Sequence, residues 1–201
     1  MPSGPLRIIA GSWRGRRLSS PAGDTTRPTS DRVRQALASA LQARGAFAGA
    51  HVLDLFAGTG ALGLEALSRG ASQLLSVEHD PHALRCLRDN VAALGATGRC
   101  RVLALDLLGP APAVCGRLQR GGLGPFSLVL ADPPYVLADD TLRLLGELHA
   151  RGLLAPDALL ALEHAARTRL PEPAGLLQLA RYAWGGTAVT VWTARTAAKS
   201  A

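Results

Sequence analysis

The 201-residue sequence predicts an α/β fold, a doubly wound and mostly parallel sheet of seven strands, preceded by a small β-hairpin and a helix. Three observations predict it. From residue 52 onward, short apolar runs alternate with helix-period segments, the pattern of strands joined by crossover helices. A glycine-rich turn follows the first run directly and opens a helix. Near the end, two runs flank Gly185-Gly186 as an antiparallel pair at one edge of the sheet.

Taken in order, Arg7 to Gly11 and Gly15 to Leu18 read as two short strands around a turn. Pro28 then closes an extended piece, and Thr29 or Ser30 caps a helix over 31–43, with Val33, Leu37, Ala40 and Leu41 on one face. Strands are expected at 52–56, 74–78, 101–105, 126–131 and 158–163, with the closing pair at 176–182 and 188–193. Helices are expected at 61–69, stopped by Gly70, at 81–94, and at 141–150. In the second of these, Pro81 sits in the first turn and Gly95 just past the end. Asp139 and Asp140 suit the first turn of the last helix, where acids favour the helix dipole. Trp184 and Trp192 belong to the closing strands. No repeat or low-complexity linker interrupts the chain, so the expected division is a basic extension over 1–45 and one domain over 46–201.

Composition excludes several classes. With 48% hydrophobic and 18% charged residues the chain is not disordered. Uncharged runs such as 121–131 are about half the roughly 20 residues of a membrane helix, and the start lacks the pattern of a secretory signal. A cytoplasmic, monomeric protein is the expectation. Cys86, Cys100 and Cys115 form no C-x-x-C pair, which argues against a disulfide framework and a zinc site. The five histidines have no metal-ligand spacing, so no metal is expected. Charge is uneven: 1–45 hold eight arginines (7, 14, 16, 17, 27, 32, 34, 44) against Asp24 and Asp31, nearly all of the formal +7. Only Lys199 is lysine, a bias that a GC-rich genome can produce. A basic block beside a neutral domain suits an anionic macromolecule such as nucleic acid, with surface solubility as the alternative.

Gly58-Thr59-Gly60-Ala61-Leu62-Gly63 is a G-x-G-x-x-G between strand and helix. There the backbone can approach a ligand closely and a helix N-terminus faces it. Glu78, at the end of the next strand, stands where a carboxylate can accept ribose hydroxyls. These residues alone admit a nicotinamide dehydrogenase or a purely structural turn. Asp54 inside the first strand needs partners if buried, and a cofactor carrying an amino group and a sulfonium would supply them. Asp106 could accept from an adenine amine or cap a helix starting near Leu107.

Asp132-Pro133-Pro134-Tyr135 closes the fourth strand. Two prolines remove two N–H donors, leave carbonyls and stiffen the turn, so the corner is a rigid set of acceptors beside an aromatic ring. An exocyclic amine on a nucleobase needs such a set, because its lone pair is delocalised into the ring. Two acceptors on its N–H groups favour a pyramidal nitrogen, and that assistance grows as positive charge develops. Tyr135 can stack on a base taken out of its helix. A plain Asp-Pro turn is the alternative.

Here the chain resembles class I S-adenosylmethionine-dependent methyltransferases, and more narrowly the RsmD type of 16S rRNA guanine-N2 methyltransferase. The resemblance rests on Ile9 to Arg16, Arg27 to Arg34, Asp54 to Gly70, Asp132 to Tyr135 and the closing Gly186 strand. It implies a Rossmann-like sheet and a cofactor site at Asp54, Phe56, Gly58, Thr59, Gly60, Glu78, His79 and Asp106. Gly58 and Gly60 would serve the methionine part, Glu78 the ribose and Asp106 the adenine end. It implies that Asp132, Pro133, Pro134 and Tyr135 hold the guanine amine. It also implies an RNA-binding arm of Arg14, Arg16, Arg17, Arg27, Arg32 and Arg34, and a small ribosomal subunit, its assembly intermediate or naked 16S rRNA as partner. Arg32 and Arg34 are two apart on a helix and cannot share a face, so one is expected to serve a structural pairing. Trp13 is expected to pack under the hairpin, with base stacking as the alternative. Two departures are Tyr135, where some relatives carry Phe, and His79-Asp80 after Glu78. The rivals are a methyltransferase acting on adenine N6 or a protein glutamine, the dehydrogenase, and an RNA-binding module with a vestigial pocket.

Overall fold

The computed structural model describes residues 6–21, 31–120 and 124–195, with the backbone alone described at 31 and 32. The fold is the expected α/β one, with seven strands in one mostly parallel sheet. The chain divides into two compact units, Met1–Leu107 and Leu108–Ala201. Among the described residues, no helix is long and apolar enough to cross a membrane.

The first unit holds α1 (Asp31–Gln42), β1 (His51–Leu55), α2 (Ala61–Ser68), β2 (Gln73–Glu78), α3 (Pro81–Ala93) and β3 (Cys100–Ala104). Its strands lie in the order β3-β2-β1, all parallel, with His51 opposite Gln73 and Leu74 opposite Cys100. α1 buries Val33, Leu37 and Leu41, the face its spacing predicts. The expected N-terminal hairpin is reduced to one antiparallel bridge, Arg7 with Arg17. Ile8 N–H donates to Arg16 O at 2.9 Å and Leu18 N–H to Leu6 O at 2.8 Å. Ile8 and Leu18 are buried and anchor it.

What fastens this hairpin is polar and comes from α2. Glu65, 3% exposed in a helix otherwise apolar from Gly63 to Leu67, accepts Ile9 N–H at 2.7 Å and Ala10 N–H at 3.0 Å. It also accepts Arg69 Nε–H at 2.7 Å. Ser68 donates its hydroxyl to Ala10 O at 2.6 Å, accepts Trp13 N–H at 3.0 Å, and receives Ser12 N–H on its carbonyl at 2.8 Å. A buried carboxylate is costly unless satisfied, and here the hairpin backbone satisfies it. Gly11 crosses this contact so closely that a Cβ would stand 1.9 Å from Ser68 O. The Gly11-to-Gly15 motif is therefore in large part a docking motif. Trp13 packs half-buried under the Arg99 guanidinium, 5.0 Å above its ring.

The second unit holds α4 (Ala111–Arg120), β4 (Phe126–Ala131), a 3-10 turn (Tyr135–Leu137), α5 (Ala138–Ala150), β5 (Leu154–Ala165), β6 (Leu176–Trp184) and β7 (Thr187–Ala194). The order is β4-β5-β7-β6, with β4 and β5 parallel and β7 antiparallel to both neighbours. Trp192 is fully buried on β7, while Trp184 stacks on Tyr182 at 5.8 Å between ring centroids on β6. α4, offered by the sequence only as a helix near Leu107, starts at Ala111: Pro110 and Pro112 crowd its start, positions where a first turn tolerates proline. Only Val114, Cys115 and Leu118 mark its buried face. β5 starts four residues earlier than expected, because Pro156 and Asp157 (φ 56°) break the ladder without ending the strand. Burial pushes the Cys100 thiol up to about 12 and the Cys115 thiol up to about 11, as suits inert core residues.

His164 on β5 is fully buried, with Nδ1 2.9 Å from Ala165 O and Nε2 2.9 Å from Thr190 Oγ1. Desolvation lowers its pKa from the ordinary imidazole value. The fold thus holds the neutral ring, and an unfolded chain takes up a proton first as pH falls below about 6.5. This stabilising contribution is complete above that pH and declines below it. The melting temperature should fall between about pH 7 and pH 5, and more steeply than in His164→Gln; equal slopes in calorimetry would exclude His164 as the cause.

Candidate active site

The loop after β1 is built from left-handed residues: Phe56 at φ 58°, Gly58 at φ 54° and Gly60 at φ 83°. A non-glycine in that region is strained, and such residues cluster at functional sites. Gly60 N–H closes the turn on Ala57 O at 2.7 Å. At Gly60 a Cβ would meet Leu87 Cδ1 at 2.4 Å, whereas at Gly58 it would meet nothing within 4 Å. Gly60 is required by the core beneath as well as by its backbone, Gly58 by its left-handed backbone alone.

Two side chains clamp this loop. Glu78, 8% exposed, accepts Gly58 N–H on Oε2 at 2.8 Å, and His79 and Asp80 N–H on Oε1 at 2.6 and 2.8 Å. Asn90 of α3 donates to Thr59 O at 2.9 Å. Asp80 then caps α3, accepting His82 and Ala83 N–H at 3.0 and 2.8 Å, and the Ala83 contact foremost holds its carboxyl below the usual range.

Asp54, 1% exposed, accepts Gly63 N–H of α2 at 3.1 Å. The protein itself thus supplies a partner for this carboxylate, at a helix N-terminus whose own cap residue, Gly60, has no side chain. His79 is exposed, with Nδ1 3.4 Å from Glu78 Oε1. Asp106 is exposed beyond β3, and since α4 begins at Ala111 it does not cap that helix. Half-buried Phe56, Gly58 and Thr59, open space over Gly58 and a carboxylate at the next strand's end fit a nucleoside-containing cofactor. Among the described residues, no three His, Cys, Asp or Glu gather as metal ligands.

In the second unit, Asp132 is half-buried, Pro133 buried and Pro134 exposed. Pro134 O accepts Leu137 N–H at 2.8 Å, so the corner runs straight into the 3-10 turn. Tyr135, 38% exposed, keeps its phenol oxygen 2.6 Å from Thr187 Oγ1 at the start of β7.

The arginines divide. Arg14 and Arg17 are exposed on the hairpin. Arg16 is exposed too, but one of its NH2 groups donates to Ala93 O at 2.5 Å, capping the end of α3. Arg34 is 3% exposed and donates to Arg7 O at 3.2 Å, so its expected place among RNA-binding residues is corrected: a buried guanidinium presents nothing to a phosphate. It is the structural member expected of the Arg32–Arg34 pair. Arg27 and the Arg32 side chain lie outside the described residues. Sequence reasoning missed Glu65, Ser68, Asn90 and Thr187. The first and third carried a signal, a polar residue at an apolar position of a helix; Thr187 carried none.

Comparison with known proteins fits this geometry. The family model described as Conserved hypothetical protein 95 matches residues 6–193. The Ribosomal RNA small subunit methyltransferase D of Escherichia coli K12 is 40% identical over 171 residues, covering 84% of this chain and 79% of that protein. The solved structure of yhhF from Escherichia coli superposes with a TM-score of 0.77 at 35% identity, over 96% of this chain and 99% of the other. An RNA methyltransferase from Salinibacter ruber, in complex with S-adenosyl-L-homocysteine, shares the fold at 16% identity, with a TM-score of 0.61 over 87% and 98% of the two chains.

The two glycines should respond differently to alanine. Gly60→Ala should cost about 2 kcal/mol or more of stability, from the left-handed backbone and from displacing Leu87. Gly58→Ala carries only the backbone cost, about 1–2 kcal/mol. Denaturant midpoints that fell equally would refute the distinction.

Proposed function

The chain belongs to the RsmD-type family of rRNA methyltransferases, and from that premise we propose that it methylates the exocyclic N2 amine of a guanine in 16S rRNA, with S-adenosylmethionine as donor. In this reading residues 1–45 are the RNA-binding extension of a methyltransferase domain spanning 46–201. The observation that carries the substrate class is the corner Asp132 to Tyr135. It has two prolines without N–H groups, and Pro134 O is already engaged by Leu137. The acceptors it offers an amine are the Asp132 carboxylate and the Pro133 carbonyl.

S-adenosylmethionine, when bound, supplies an electrophilic methyl on a positive sulfur. Phe56, Gly58, Thr59 and Gly60 would hold it, with Glu78, His79 and Asp106 toward its ribose and adenine. Asp132 and Pro133 would each take one N–H of the amine, which turns the nitrogen's lone pair out of the ring plane. Both contacts strengthen as the nitrogen becomes positive, so they favour the transition state over the bound substrate. Asp132 serves as acceptor rather than strong base, since the methylated nitrogen loses its extra proton readily to water. Tyr135 would stack on the guanine, its hydroxyl tied to Thr187.

Labelled donor incubated with undermethylated 30S particles or 16S rRNA should mark a guanine at N2. Asp132→Ala should lower that labelling about 10²–10³-fold with donor affinity largely retained. Label appearing only on adenine or on protein would overturn the substrate assignment. S-adenosylhomocysteine should raise the melting temperature and NAD should not, since a ligand stabilises only the fold it binds.

Arg14 and Arg17 are proposed to meet phosphates. Replacing either with alanine should lower the slope of log affinity against log salt by about one for RNA, leaving donor affinity unchanged. An unaltered slope in filter-binding titrations would remove that residue from the interface.

A further inference from the structure

Asn90 is 2% exposed on α3, among Leu87, Val91 and Leu94 of the helix's core face. A buried amide is costly unless its donors and acceptor are all paired. Here they are. Nδ2 donates to Ser19 O at 3.0 Å and to Thr59 O at 2.9 Å, and Oδ1 accepts Ser19 N–H at 2.7 Å. Flipping the amide would set oxygen against two carbonyls and nitrogen against an N–H, so one orientation satisfies the site.

The two ends of this contact belong to different jobs. Thr59 is the middle residue of the glycine loop. Ser19 lies just past the hairpin that carries Arg14, Arg16 and Arg17, and eight residues before Arg27. The helix between them is fixed at its start, because Asp80, its cap, is held by Glu78, which also holds Gly58. The cofactor loop and α3 thus form one closed hydrogen-bonded ring, and Asn90 ties the exit of the extension to it.

We propose that Asn90 is a positioning residue that couples the cofactor loop to the RNA-binding extension, so that occupancy of either strengthens the other. This rests on the methyl-transfer reading above and concerns regulation of that same site. Coupling between two binding events is reciprocal: a loop steadied by donor holds Thr59 O on Asn90, and Asn90 then holds Ser19 and the chain around it.

Asn90→Asp is isosteric, keeps an acceptor for Ser19 N–H, and sets an oxygen against the two carbonyls. Calorimetric titration without RNA should show S-adenosylhomocysteine bound about five- to tenfold more weakly, the loss expected for one hydrogen bond. The KM for 16S rRNA should rise by a similar factor, with kcat within about twofold. Glu65→Gln loosens the same extension at Ile9 and Ala10 without touching Asn90. It should raise the RNA KM alone, a split that a merely structural Asn90 would not give. In the wild-type chain, S-adenosylhomocysteine should slow hydrogen exchange at the Ser19 amide about fivefold, a readout that survives even if the variants fold poorly. Unchanged donor affinity in Asn90→Asp, identical behaviour of the two variants, or unaltered exchange at Ser19 would each overturn the coupling alone. A wild-type protein that bound no S-adenosylhomocysteine would bring down the methyl-transfer reading and this inference with it.

Discussion

One carboxylate organises the first unit. Glu78 accepts three backbone N–H groups, one from the glycine loop and two from the turn that starts α3. Charge-assisted bonds of this kind contribute about 1.5–3 kcal/mol each, enough to offset the strain of left-handed residues at Phe56, Gly58 and Gly60 in the same loop. Without that anchor the loop would have no reason to hold a conformation that only glycine adopts cheaply. The same carboxylate that fixes the loop through Oε2 also places Asp80 through Oε1, and Asp80 places α3. A residue read from sequence as a ligand for ribose is, before any ligand arrives, the element that sets the shape of the cradle. The two roles are compatible, since carboxylate oxygens have lone pairs beyond those used by the backbone.

The N-terminal extension shows the same economy. Its hairpin is too short to be stable by itself, with one bridge and two buried anchors. It is held because α2 presents Glu65 and Ser68, two polar residues on an otherwise apolar helix, to its backbone. Reading the motif Gly11-Ser12-Trp13-Arg14-Gly15 as an RNA-binding motif conflates two layers. The backbone, Gly11 and Trp13 dock the extension; Arg14 and Arg17 stand on the outside of what has been docked. Arg16 and Arg34 serve the fold through carbonyls of Ala93 and Arg7. Arg16 remains exposed, whereas the Arg34 guanidinium is buried away from a polyanion.

Most of the fold was legible because its signals are local. The runs at 126–131 and 176–182, and the Pro81 and Gly95 boundaries of α3, follow from apolar patterning and from residues that start or stop a helix. The placement of α4 was not legible: prolines in its first turn look like a loop, and its three buried residues give little periodicity. Nor was the true length of β5, because Pro156 reads as an end and only the register shows a strand that continues past an irregularity. At the site, the type and spacing of Gly58, Gly60, Glu78 and Asp132 pointed to the chemistry proposed for them. Their partners were hidden, because Gly63 for Asp54, Asn90 for Thr59 and Thr187 for Tyr135 are contacts of tertiary structure, nine to fifty-two positions away.

The corner at Asp132 limits what chemistry the protein can contribute. Asp132 stands half-buried beside two prolines, and its proposed part is to accept an amine N–H. A phenol used as an acid would need its proton directed at a substrate, whereas the Tyr135 hydroxyl lies against Thr187. The proposed contribution is orientation: acceptors, a ring tied through its hydroxyl, and a turn stiffened at two successive positions. For transfer to an amine whose lone pair is tied up in a purine, orientation is the demanding part, since the nitrogen must leave conjugation before it can attack. In the proposed reading, a rigid corner with acceptors and no proline N–H groups would meet that demand without a charged intermediate on the protein. That is why the proposed role of Asp132 rests on hydrogen-bond geometry rather than on proton abstraction.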